Sequence, residues 1–153
     1  MERKKYIHYG HNSFDRNLFT PISNMDRWVK PSGGFWASPM DSDYGWGDWC
    51  RRNSFHSYRL LEYFKFKLSE NAKVIHIYSS KQLKDLPKTE ENMDMWCCLD
   101  FEQLLADGWD AIELHLSEEI FEDVEYCGGL YWKLYGWDCD SILIMNPDVV
   151  EVV

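Results

Sequence analysis

Phe64-Lys65-Phe66-Lys67-Leu68-Ser69-Glu70-Asn71-Ala72-Lys73-Val74-Ile75-His76-Ile77-Tyr78 is the stretch on which the fold class turns. Phe64, Phe66 and Leu68 alternate with Lys65 and Lys67, the period-2 pattern of a half-buried strand. Ser69 to Ala72 reads as a turn, and Val74 to Tyr78 as a nearly continuous apolar strand. Two strands in succession with a tight turn between them predict a hairpin.

Working outward, Ser80 is placed to cap a short helix with Leu83 and Leu86 facing inward, stopped by Pro87. Thr89 to Asp94 is polar and acidic, an expected exposed loop. Asp100 with Gln103 three residues later has the spacing of a capping box. Phe101, Leu104 and Leu105 then share a helical face, and Gly108 sits where a helix ends. Trp109 to Leu116 predicts a strand; Cys127-Gly128-Gly129 breaks the chain before Leu130-Tyr131-Trp132; Ser141 to Met145 predicts a last strand, closed by Asn146-Pro147. Toward the N-terminus, Tyr6 to Tyr9 reads as a strand ended by Gly10. Gly33-Gly34-Phe35-Trp36-Ala37-Ser38 reads as another, entered through a glycine pair. Neither a repeat nor a linker interrupts the order, so residues 1–153 are expected to form one α+β domain.

Composition bounds the function. The 153 residues suit one domain with a sizeable core. Sixteen Lys and Arg against 26 Asp and Glu leave a net charge of −10, which argues against general nucleic-acid binding. No apolar run approaches the ~20 residues of a membrane helix, and no secretory leader is evident, so a cytoplasmic location is expected. The five cysteines lack CxxC or Cys/His ligand spacing, so reduced thiols and no metal site are expected. Aromatic residues make up 16% of the chain, an excess that is either core filler or a surface for stacking on flat heterocycles. Phe64, Phe66, Tyr78 and Phe101, at strand or helix spacing, are assigned to the core.

Three segments combine rings, imidazole, glycine or carboxylate beyond what a core requires. In His8-Tyr9-Gly10-His11 a strand-end His is able to donate to ribose hydroxyls, with a Gly that admits a ligand to the backbone; the alternative is a strand His beside a turn Gly. In the second, Gly33 to Ser38 is followed by Asp41-Ser42-Asp43-Tyr44-Gly45-Trp46-Gly47-Asp48-Trp49. Its aromatics, separated by glycines and acids, form either a stacking platform or a packed loop. In the third, Gly136-Trp137-Asp138-Cys139-Asp140-Ser141 places two carboxylates before a buried strand, as a fixed anion facing a cleft or as turn residues. His56, His76 and His115 are isolated, and Glu113, alternating with apolar neighbours, is expected to face solvent. Neither a Gly-x-Ser-x-Gly elbow, a P-loop nor a GxGxxG fingerprint occurs.

In this order, the three segments resemble the ADP-ribosyltransferase family, in its diphtheria-toxin/PARP-like branch and among its small bacterial or phage members. Tyr6-Ile7-His8-Tyr9-Gly10 resembles the first-strand His motif. Gly34-Phe35-Trp36-Ala37-Ser38 resembles the aromatic strand, with Tyr44 where the stacking Tyr falls. Asp140-Ser141-Ile142-Leu143-Ile144 resembles the late-strand motif, with Asp in place of Glu. The first motif departs as well, since Tyr9 intervenes between His8 and Gly10, and either His8 or Tyr9 takes the His role.

The resemblance implies two small antiparallel sheets around an NAD cleft, with a few short helices. It also implies a mono-ADP-ribosyltransferase that consumes NAD+ as substrate, needs no metal and modifies a protein or nucleic-acid acceptor. A toxin or phage effector would further imply an antitoxin or inhibitor partner. Asp140 would stabilise the oxocarbenium-like centre, with Asp138 as a further carboxylate. His8 would hold the adenosine-side ribose, and Gly10 would lie near the nicotinamide amide. Tyr44, or Trp36 or Trp46 in its place, would stack on the nicotinamide. Gly34 and Ser38 line the cofactor strand, and Arg51 and Arg52 would neutralise the pyrophosphate. The rival readings are an NAD+ glycohydrolase and a non-catalytic interaction protein of the same fold.

Overall fold

A computed structural model describes residues 2–24, 31–89, 99–116 and 137–153. The acidic segment from Glu90, the adjacent Cys97-Cys98, and the break at Cys127-Gly128-Gly129 with Leu130-Tyr131-Trp132 lie outside the described residues. Alternating burial sets the strands. Tyr6 and His8 point inward from β1 (Lys5–Tyr9), and Phe64, Phe66 and Leu68 from β3 (Tyr63–Leu68). The other strands are β2 (Phe35–Pro39), β4 (Val74–Ile77), β5 (Ala111–Leu114), β6 (Ser141–Ile144) and β7 (Val150–Val152). Among the described residues two short α-helices, α1 (Trp46–Arg52) and α2 (Phe101–Ala106), join them in a mixed α+β domain.

Among the described residues, seven strands form one sheet in the order β4-β5-β6-β2-β1-β3-β7, instead of the two small sheets expected. Every pair is antiparallel except β4 with β5. The expected hairpin is absent: β4 lies at one edge of the sheet, and β3 lies next to the other edge. Five flat strand spacings would separate them by about 24 Å. The six residue steps from Leu68 to Val74 reach at most about 20 Å, so the sheet has to curl.

The curl leaves its mark in the core. One apolar cluster joins Phe64, Phe66 and Leu68 to Phe35, Ala111, Ile142 and Ile144, residues from both halves of the sheet. A second cluster packs α2 and Trp137 onto the opposite face of β4, β5 and β6. The halves meet through a short joint, in which β1 and β2 pair at Tyr6↔Pro39 and Ile7↔Ser38.

Several local expectations change for identifiable reasons. Ser79, not Ser80, caps the turn of 3-10 helix at Ser80–Asp85, with Gln82 completing its capping box. Asp100 caps α2 by accepting from the Gln103 amide, but the Gln103 side chain bonds Asp107 instead of reaching back. The predicted strand at 109–116 pairs regularly over Ala111–Leu114. Tyr78, assigned to the core, is half exposed. Glu113, expected in solvent, is fully buried, because its face of β5 turns into the curl. No helix among the described residues is long and apolar enough to cross a membrane.

Candidate functional site

The joint between β1 and β2 creates the main cleft. Beyond Ile7↔Ser38 the two strands stop pairing and diverge. A cleft of about 440 Å³ opens there, lined by His8 and Tyr9 from β1 and by Gly34 and Trp36 from the other side, with Trp46 and Trp137 as further walls. A volume of this size is typical of small-molecule sites. Its lining is largely apolar rings, with His8, Asp138 and Cys139 from the loop before β6, and Ser141 at the start of β6 as polar elements.

His8 is the most constrained polar group in it. The ring is buried and touches Phe64 and Phe35, with centroids 4.9 and 5.3 Å away. Its Nδ1–H donates to the Trp36 carbonyl at 2.7 Å, since a carbonyl only accepts. Burial holds the His8 pKa below its ordinary value against the opposing effect of that bond, so the neutral ring is favoured. Nε2 is then an acceptor, and it takes a hydrogen bond from His11 Nδ1–H at 2.9 Å. The two rings stack at 5.2 Å, and His11 carries the pair out to solvent. Bridging the splayed strands through its side chain, His8 does what the missing backbone ladder would do.

The second aromatic segment is not an irregular loop. Trp46 to Arg52 winds into α1, anchored by Ser38 on β2, whose Oγ accepts from the Trp46 amide at 2.8 Å. The three-residue spacing of Trp46 and Trp49 places them on one helical face, stacked at 5.2 Å and 10°. The sequence missed this helix because glycines at 45 and 47 read as turn signals. The clue in hand was the Trp-x-x-Trp spacing with Asp48 in the first turn and Arg51-Arg52 in the last. A second depression of about 210 Å³ beside the cleft shares Tyr9 and Trp46 with it and adds Ser38 and Arg51. Arg51 lies 3.7 Å from Asp48 across exposed surface.

Asp140 and Tyr44 are not among the residues lining either space. Asp140 sits between two residues that do line the cleft, Cys139 and Ser141. Its carboxylate accepts from Ser42 Oγ at 2.6 Å and from the Leu116 amide at 2.7 Å, while its own amide donates to the Tyr44 carbonyl. Asp140 therefore ties the 42–44 turn to β6. Asp138 is exposed at the cleft. Tyr44 is partly exposed beneath the Arg52 guanidinium, 5.3 Å from its ring centre. Gly10 closes β1, its amide donating to the Glu62 carbonyl.

The structure thus gathers His8, Tyr9, Gly34, Trp36 and Trp46 around one cleft and Ser38 and Arg51 around its annex, leaving Gly10, Tyr44 and Asp140 at the periphery. Sequence reasoning missed Trp137, which is buried against Trp36 in an edge-to-face contact at 4.8 Å. Its indole Nε1–H is buried with no hydrogen-bond partner among the described residues. A donor in that state inside a cleft wall is an unmet demand for an acceptor. Cys50 and Cys139 are both buried, and burial raises the Cys50 pKa. No protein-family profile, curated protein or solved structure matches the chain.

Proposed function

We propose that this chain is an NAD+-consuming mono-ADP-ribosyltransferase whose substrate occupies the cleft between the splayed strands β1 and β2. The observation that carries the reading is the convergence of the first two motif segments on one ring-lined cleft, with the third motif at its margin. A ribose hydroxyl displacing His11 would donate to His8 Nε2, which is already held as an acceptor. Trp46 is better placed than Tyr44 to stack on the nicotinamide, since it lines both the cleft and its annex. Arg51 in the annex would meet the pyrophosphate. Cleavage of the nicotinamide–ribose bond leaves positive charge on the ribose carbon. Asp140 or the exposed Asp138 would stabilise that charge before an acceptor nucleophile completes transfer.

One observation favours a non-catalytic domain of the same shape: each oxygen of Asp140 already accepts a hydrogen bond from the protein. Incubation with NAD+ labelled on the adenylate side, in the presence of cell extract, separates the readings. Transfer requires nicotinamide release together with label on a macromolecule. Free ADP-ribose alone would mark a glycohydrolase, and an absence of nicotinamide release would refute both enzymatic readings. In the enzyme, Asp140→Ala should slow nicotinamide release by about 100-fold or more, the usual cost of losing a charge-stabilising group. An unchanged rate would shift the role to Asp138.

A further inference from the structure

Away from the cleft, the parallel pair of β4 and β5 brings His76 beside Glu113 and His115, which lie 37 or more residues further along the chain. His76 sits opposite Glu113 in the register, and His115 lies two residues beyond Glu113, on the same face of the strand. We infer that His76, Glu113 and His115 form a binding site for a first-row divalent cation of the zinc class.

The distances carry the argument. His76 Nδ1 lies 2.9 Å from His115 Nε2. Glu113 Oε2 lies 3.6 Å from His76 Nδ1, and Glu113 Oε1 lies 3.8 Å from His115 Nε2. A hydrogen bond between the two imidazoles accounts for the first distance. It does not account for the carboxylate, which stands too far from either ring for a hydrogen bond. An ion with ligands about 2.0–2.2 Å away requires ligand atoms roughly 2.9–3.6 Å from one another, depending on its geometry. The imidazole pair at 2.9 Å and the Glu113–His76 pair at 3.6 Å fall in that range, and the Glu113–His115 pair at 3.8 Å lies just beyond it.

The surroundings are those of a built site. Glu113 is fully buried, and its oxygens are oriented by Lys4 Nζ at 2.5 Å and by the Tyr6 hydroxyl at 2.8 Å. Such outer hydrogen bonds are the usual means of aiming a ligating carboxylate. Each oxygen keeps a second lone pair for an ion. Tyr78 lies flat against the His115 ring, with centroids 4.3 Å apart and planes 12° from parallel, which fixes the imidazole. His76 is exposed, so water has access to the remaining coordination positions. Two imidazoles and one carboxylate suit zinc, cobalt, nickel or ferrous iron, whereas magnesium and calcium prefer all-oxygen ligands. None of the three residues lines the cleft, so the site stands independently of the NAD+ reading.

The test is titration of the metal-stripped protein with Co2+, followed by visible absorption and by thermal unfolding. One equivalent should bind, with ligand-field bands and a raised Tm. His76→Asn and His115→Asn should each weaken binding by at least about 10-fold. His11→Asn, which disrupts the other close histidine pair, should leave it unchanged. His76 is exposed, so its variant should fold normally, and circular dichroism checks that it does. Binding in His76→Asn and His115→Asn as tight as in the parent would overturn the site. So would absence of any Co2+ binding below about 1 mM, the weak limit for ion-binding modules.

Discussion

His8 shows how one side chain couples folding to a site. Its Nδ1–H bond to the Trp36 carbonyl ties β1 to β2 where the backbone ladder has ended. Because burial lowers its pKa, the unfolded chain binds more protons than the folded one once pH approaches about 6.5. The linkage sign follows. The neutral ring's contribution to stability is complete above that value and is lost as pH falls through it toward the lower folded value. His115, whose pKa burial also lowers, acts in the same direction. Urea unfolding between pH 8 and 5 should therefore show falling stability in the parent. His8→Gln should have a visibly flatter profile, and an equally steep one would place the titration elsewhere.

At the scale of elements, β2 depends on its entrance. Gly34 has φ +59°, and a Cβ built there would stand 2.4 Å from the Ile144 carbonyl oxygen on the neighbouring strand. Left-handed backbone costs a non-glycine residue about 1–2 kcal/mol, before any clash with backbone. Gly34→Ala should accordingly destabilise the fold by at least about 2 kcal/mol, or roughly 4–8 °C in Tm for a chain of this size. A thermal melt within a degree of the parent would show that the strand shifts to make room. The β4–β5 pair illustrates the opposite dependence. Glu113 is tolerated in the interior because Lys4 and Tyr6 satisfy it, and burial beside that carboxylate raises the Tyr6 pKa, keeping its hydroxyl a donor.

Across the whole molecule, the curled sheet sets up both candidate sites. One half carries β1 and the other β2, and the cleft opens at their joint. A ligand seated there contacts both halves and binds only the folded chain. NAD+ at about 100 times its Kd should add about 2.7 kcal/mol of stability, raising Tm by roughly 5–10 °C. Trp46→Ala should abolish most of that shift without loss of fold, since Trp46 is only partly buried. No shift in the parent at millimolar NAD+ would count against the cleft as its site.

Much of the chain was legible from period and punctuation. Tyr6 to Tyr9, Phe35 to Ser38, Phe64 to Leu68 and Ser141 to Ile144 all read correctly as strands, because alternation or an apolar run bounded by Gly, Pro or Asn is a local signal. The short Val150–Val152 strand and the glycine-flanked α1 carried weaker local signals and escaped. Pairing was not legible: a tight turn after β3 predicts a hairpin, yet β4 finds its partner in β5, 37 residues away at Glu113.

The same division runs through the candidate sites. From the sequence alone came the α+β class, most of the strand positions, and the choice of His8, Trp36 and Trp46 as residues to watch. Only the tertiary structure decided that these three share a cleft, that Asp140 spends both oxygens on protein donors, and that Glu113 lies buried beside His76 and His115. The physical reason is range. Backbone alternation and capping act over a few residues, whereas the curl of the sheet and the burial of a carboxylate are set by contacts between segments far apart in the chain.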